Sequence, residues 1–318
     1  MKPNPNAELN ALIQRYIAER TAINGGEATS IEQLNEWIGE FMQGYNSRKV
    51  AEFEGYSPVE MQKIIYNLWE EDCPIRFKRL PEKYFAQIPI FRQLKHLIEI
   101  LQKDGKIKLT ATDALPVKIV TELYKYGVTA EFLDRQIAEK GKIRCEAECW
   151  TVEILHAIAK MIKVVKVQRG VMTLTKRGEK LAKNNQSLLE ELMFCFSTEI
   201  DFGFLDRMES EQAAILGNGY SLVLLSQYGG KERSYRFYAE KYYAAFPMFM
   251  EDFYPYYTTS KEENAALCYE RRTMDIYLRS FGLIERKVVG DLRDPDRDII
   301  IKKTALFDHF IELIKPRL

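Results

Sequence analysis

Thr151-Val-Glu-Ile-Leu-His156-Ala-Ile-Ala-Lys160-Met-Ile-Lys163-Val-Val-Lys166-Val-Gln-Arg169-Gly170-Val-Met-Thr-Leu-Thr175-Lys176-Arg177-Gly178-Glu-Lys-Leu181 is the stretch that decides the fold. Its first part sets Val152, Leu155, Ile158, Ala159 and Ile162 on one helical stripe and Glu153, His156, Lys160 and Lys163 on the other. The period then changes. Residues 164–168 and 171–174 are Val-rich and alternate, so they read as two short strands joined by Arg169-Gly170. Thr175 stands where a cap should stand, before a closing helix.

Upstream, Phe91, Leu94, Leu97, Ile98 and Leu101 form one helical face that Asp104-Gly105 ends. Lys106-Ile-Lys-Leu-Thr110 alternates like a half-buried strand, and Pro116 opens a helix over 117–126. The order helix, strand, helix, helix, strand, strand is that of a winged helix-turn-helix unit. Residues 128–149 would be an insertion between its second and third helices. Helix-turn-helix docking places the last helix in the DNA major groove. Downstream, a helix over 265–281, strands over 283–289 and 299–302, and a helix capped by Thr304 and running to 314 repeat the ending. The expected fold is mainly α with short β-hairpins: tandem winged-helix-like units behind an N-terminal helical segment.

Residues 1–72 read as an acidic helical segment of three helices (6–24, 31–45 and 58–69), the third opened by the capping box Ser57-Pro-Val-Glu60. They resemble a lid or an oligomerisation segment. Pro74, Pro81 and Pro89 mark residues 73–89 as an extended linker. Residues 90–187 would be the first unit, with a basic wing, and 188–318 the second.

The 318 residues are 46% apolar and 29% charged, a globular composition. The 46 Lys+Arg cancel 46 Asp+Glu, which speaks against a uniformly basic nucleic-acid coater or a charge-held membrane protein. The cancellation is between blocks. Residues 1–72 carry 6 basic and 12 acidic side chains (−6), 73–187 carry 23 and 12 (+11), 188–260 carry 5 and 11 (−6), and 261–318 carry 12 and 11 (+1). With a screening length of about 8 Å, a ligand feels the local block. No apolar run approaches the roughly 18 residues of a membrane span, and no signal peptide opens the chain. The odd count of five Cys fits reduced thiols in the cytoplasm.

The sharpest candidate is therefore the basic face of Lys160, Lys163, Lys166, Arg169, Lys176 and Arg177. From 160 to 184, eight basic residues face one acid, Glu179. Such a surface would neutralise several DNA phosphates, with strong salt dependence. The helix's outer stripe offers no Asn, Gln or Arg for bidentate base contacts, so it announces no sequence preference. The competing reading covers this face with the chain's own acidic blocks or with a partner protein. Exposure of the face separates the two.

Other clusters carry less chemistry. Cys145, Cys149 and His156 supply three zinc-type ligands where structural sites pair two close pairs, so they read as core groups and no metal is expected. His96 and His309 read as structural. No Ser lies in a nucleophile motif, and Gly217-Asn-Gly219 and Gly229-Gly230 lack the Lys and spacing of a phosphate loop. No cofactor and no enzyme chemistry follow. Asp291-Leu-Arg-Asp294-Pro-Asp296-Arg-Asp298 lacks the glycine turn and distal Glu of a calcium loop and reads as a hydrated wing tip. The eleven aromatics of 235–257 have only Arg236 and Lys241 as interleaved cations. They suit a helical core contact extending into a dimer or partner interface better than base stacking.

Glu52-Phe-Glu-Gly55-Tyr-Ser57-Pro58-Val-Glu-Met61, Ile75-Arg-Phe, Lys108-Leu-Thr-Ala-Thr-Asp-Ala-Leu-Pro116, Glu122-Leu-Tyr124 and Leu174-Thr-Lys-Arg-Gly178 carry a resemblance over about residues 30–180. Together they resemble an uncharacterised bacterial protein family, with winged-helix-like regions and some members joined to small metal-binding tails. No Cys/His cluster of that kind occurs in these residues, and the resemblance implies no particular activity. The expectation is a non-enzymatic binding protein that takes DNA on the first unit's basic face. The alternative is a protein-interaction scaffold using winged helices and the aromatic segment; an enzyme of unrecognised type is the third reading.

Overall fold

A computed structural model of the chain describes residues 5–26, 30–128, 141–200, 208–256, 259–290 and 297–314. It is mainly helical, with small antiparallel sheets. Helices α1 (Pro5–Ile23) and α2 (Ile31–Asn46) pack on each other through Tyr16 and Phe41 and through the Arg20–Glu40 ion pair. Helix α3 (Pro58–Tyr66) opens on the expected capping box, in which the Ser57 hydroxyl accepts from the Glu60 amide and the Glu60 carboxylate accepts from the Ser57 amide. It ends three residues before the expected Trp69.

Residues 73–89 differ from the expected linker. Strand β1 (Ile75–Phe77) pairs antiparallel with the last strand, Ile311–Leu313, and Ile75, Leu80, Phe85 and Ile88 are buried. The prolines break regular structure, but the apolar residues between them still gain by leaving water.

The first unit runs α4 (Pro89–Asp104), β2 (Ile107–Lys108), α5 (Val117–Tyr124), α6 (Trp150–Met161), β3 (Val165–Gln168), β4 (Val171–Leu174) and α7 (Lys176–Leu181), with strand order β2-β4-β3. Helix α8 (Asn185–Thr198) leads to the second. That unit runs α9 (Asn218–Tyr228), β5 (Arg233–Ser234), α10 (Tyr235–Ala245), α11 (Lys261–Tyr269, continued as a π-helix over Glu270–Leu278), β6 (Ile284–Val289), β7 (Asp298–Lys303), α12 (Ala305–Phe310) and β8 (Ile311–Leu313). Its strand order is β5-β7-β6, the same arrangement. The repeat is thus longer than its sequence signal, because α9, β5 and α10 match α4, β2 and α5. The closing helix is shorter than expected: beyond Phe310 the chain turns into β8.

The two units also share the hydrogen bonds that join the helix end to the Thr cap. Thr175 donates to Lys163 O, and its amide to Val164 O. Thr304 donates to Gly282 O, and its amide to Leu283 O. Before each hairpin the helix ends in the same left-handed turn: Val164 N–H reaches Ala159 O at 3.0 Å, and Leu283 N–H reaches Leu278 O at 2.9 Å. One continuous apolar core joins the units, and Ile90 N–H donates to Ser280 O across them.

Candidate nucleic-acid interface

Helix α6 forms because its apolar stripe (Val152, Leu155, Ile158 and Ala159) packs against α4 and α5, all four being fully buried. The chain then reverses through Lys163 (φ +58°) into β3. Arg169 (φ +53°) and Gly170 (φ +69°) form the two-residue hairpin turn, both in the left-handed region that such turns require. The three-stranded sheet buries one face, where Ile107 and Met172 pair, beside Val167. On the opposite face lie Lys108, Val171 and Gln168 in one cross-strand row, then Lys166 beside Thr173. Helix α7 follows, capped by Thr175, whose hydroxyl accepts from the Gly178 amide at 2.9 Å. Gly178 is required there, since a Cβ would sit 2.2 Å from Val164 O.

All six expected residues are exposed. Lys160 and Lys163 lie at the end of α6, Lys166 and Arg169 on the hairpin, and Lys176 and Arg177 on the first turn of α7. Arg177 is engaged: it pairs with Glu191 at 2.5 Å and donates to Ile162 O. Among the described residues this is the one ion pair made by any Lys or Arg of 73–187. Among the described residues, no acidic side chain pairs with the other five.

His156 does not stand on the outer stripe as its spacing suggested. It is 5% exposed, and its Nδ1 lies 2.8 Å from Glu146 Oε1, while Glu146 Oε2 accepts from the Leu115 amide. Thr151 and Ile154, also outside the apolar stripe, are buried too. The helix is enclosed because residues 146–148 lie against it and Arg271 of the second unit covers the Trp150 ring at 4.8 Å. On α6 only Glu153, Lys160 and Met161 are exposed. Partial desolvation and the Glu146 carboxylate raise the Glu153 carboxyl above its usual range, with His156 opposing them.

The rest of the candidate chemistry is placed as follows. Cys145 is exposed and Cys149 buried, and no three His, Cys, Asp or Glu side chains gather as a metal site among the described residues. Most of the aromatic segment is core: Tyr235, Tyr238, Tyr242, Tyr243, Phe246, Phe249 and Phe253 are buried, and Tyr254 and Tyr256 are exposed. Burial pushes the Tyr238 hydroxyl up to about 12. Of the acidic loop, 291–296 lie outside the described residues, and Asp298 accepts from Ser234 and Arg236. Lys108 and Gln168 belong to the basic face but were not singled out. Alternation in 106–110 and 164–168 was the signal that could have found them, since it puts both on the polar side of their strands.

No curated protein and no solved structure matches the chain. Residues 86–187, from the approach to α4 to just past α7, match the model of the Y4jL N-terminal domain, a domain family of unknown function to which this segment is similar.

Proposed function

We propose that the chain is a non-enzymatic nucleic-acid-binding protein built on two winged-helix-like units, and that the basic face of the first unit meets the phosphate backbone. The observation that carries this reading is the uncovered charge. Lys160, Lys163, Lys166, Arg169 and Lys176 are exposed and make no ion pair among the described residues. Cations left without an internal partner are available to displace the counterions of a polyanion. The strand order β2-β4-β3 behind three helices supports the winged-helix reading of this unit.

The test is a duplex-DNA titration at 50 and 200 mM salt. Five phosphate contacts would weaken binding by roughly 500-fold between these concentrations. Joint replacement Lys160→Glu, Lys163→Glu and Arg169→Glu should abolish binding at both. Absence of binding at 50 mM salt, or unchanged binding by the triple variant, overturns the proposal. The scaffold reading keeps one supporting observation, the exposed Met248, Tyr254 and Tyr256 beside an otherwise buried aromatic segment. It predicts that the triple variant associates with a protein partner as the parent does.

A further inference from the structure

We infer that the tip of the β3–β4 hairpin, Gln168 with Arg169, is a base-reading element that enters the major groove of duplex DNA in place of helix α6. The inference rests on the nucleic-acid reading above and adds sequence recognition to it.

The helix is a poor reader. Its buried Thr151, Ile154 and His156 cannot face a base edge, and its exposed side chains are Glu153, Lys160 and Met161. A carboxylate among them opposes approach to phosphates. Arg271 over Trp150 blocks the end of the helix that would lead into a groove.

The hairpin tip has the opposite properties. Gln168 and Arg169 are exposed and make no side-chain hydrogen bond or ion pair among the described residues. Arg169 adopts φ +53° at a turn position where Asn or Gly would be unstrained. Among the described residues the arginine side chain makes no hydrogen bond or ion pair that would offset this strain, so the strained choice points outward, to a ligand. The tip is also held rigidly. Gln168 pairs with Val171, and the Leu109 amide, from beyond β2, donates to Gly170 O at 2.8 Å. A third strand thus braces the turn and lowers the ordering cost of binding.

The chemistry selects the groove. A glutamine amide matches adenine N6 and N7, and a guanidinium matches guanine O6 and N7, both as bidentate pairs. A two-stranded ribbon fits the B-form major groove, whereas the deep, narrow major groove of duplex RNA excludes it. Lys108 and Lys166, on the same face as the tip, would hold the flanking phosphates, which fix register without reading sequence.

The experiment selects binding sites for the full chain from duplex DNA with a randomised central segment. The expected result is an enriched short motif containing guanine and adenine within a few base pairs of each other. Replacing that guanine with 7-deazaguanine, which lacks the N7 acceptor, should weaken binding about 10-fold. Arg169→Asn, which suits the turn, should erase the guanine preference and leave the melting temperature equal or higher. Gln168→Ala should erase the adenine preference, while Lys160→Ala should weaken all duplexes equally. Duplex binding without sequence preference, or with a preference indifferent to 7-deazaguanine, overturns the inference. So does equal binding to duplex RNA, or a preference that follows Glu153 or Met161 rather than the tip. Absence of any duplex binding at low salt would instead overturn the nucleic-acid reading itself, so the two failures are distinct.

Discussion

At the scale of single residues, Lys163 and Gly282 occupy the same position in the two units and solve it differently. Each follows its helix in the left-handed region, at φ +58° and +67°. Glycine does this freely, whereas a side chain with a Cβ meets the following carbonyl. At Gly282 the segment before α4 also leaves no room, since a Cβ would lie 2.7 Å from Gln87 O. Lys163 is exposed and meets strain alone. Replacement Lys163→Gly should therefore stabilise the protein by about 0.5 kcal/mol, the strain relieved less the backbone entropy glycine adds. Gly282→Ala should destabilise it by about 2 kcal/mol or more, the cost of strain and overpacking together. Urea denaturation of the two variants measures both. A destabilised Lys163→Gly protein would show that this lysine contributes to the fold and is not held for its charge.

At the scale of elements, what was legible followed from periodicity and caps. The α6 stripe, both strands of each hairpin, the Ser57 capping box and the paired Thr175 and Thr304 caps could be read because each is fixed by neighbours within a few residues. The enclosure of His156 could not, because Glu146 and Arg271 reach α6 from outside its own period. Strand β5 was invisible, because two residues, Arg233-Ser234, show no alternation and only their pairing with β7 makes them a strand. The π-helical segment was equally hidden: it carries the buried ions Glu270 and Asp275, held by Arg286 at 2.7 Å and Arg279 at 2.8 Å. Burial raises the Glu270 carboxyl, against the lowering pull of Arg286. A raised folded value means that the folded state binds more protons than the unfolded one just above the ordinary carboxylate range. Stability attributable to Glu270 therefore falls as pH rises through that window. Arg286→Met removes the compensating cation, raises the Glu270 value further and should cost about 3–5 kcal/mol at pH 7. The same variant should lose less at pH 5, where Glu270 can take up a proton. A loss that is equal at the two pH values would show that Glu270 does not titrate with this pair.

At the scale of the whole molecule, a formal charge of zero conceals a strong separation. The +11 block of 73–187 would be electrostatically silent if the −6 blocks lay against it, but Arg177–Glu191 is its one described ion pair to them. Several acids of the N-terminal segment pair elsewhere: Glu40 with Arg20, Asp72 with Lys63, and Glu54 with Lys241 of the second unit. Charges farther apart than the screening length of about 8 Å do not neutralise each other for an approaching ligand, whatever their sum. The molecule should therefore behave as both a cation and an anion. At pH 7 and low salt the parent chain should be retained on phosphocellulose and, separately, on a quaternary-amine resin, and moderate salt should release it from both. Exchanging Lys160, Lys163 and Arg169 for Glu moves the formal charge from 0 to −6, two units for each of three residues. That variant should pass through phosphocellulose and bind the amine resin more tightly. A parent chain that flows through phosphocellulose at low salt would mean that the acidic blocks reach the basic face in solution. Both the nucleic-acid proposal and the reading assigned to the hairpin tip would then lose their electrostatic basis.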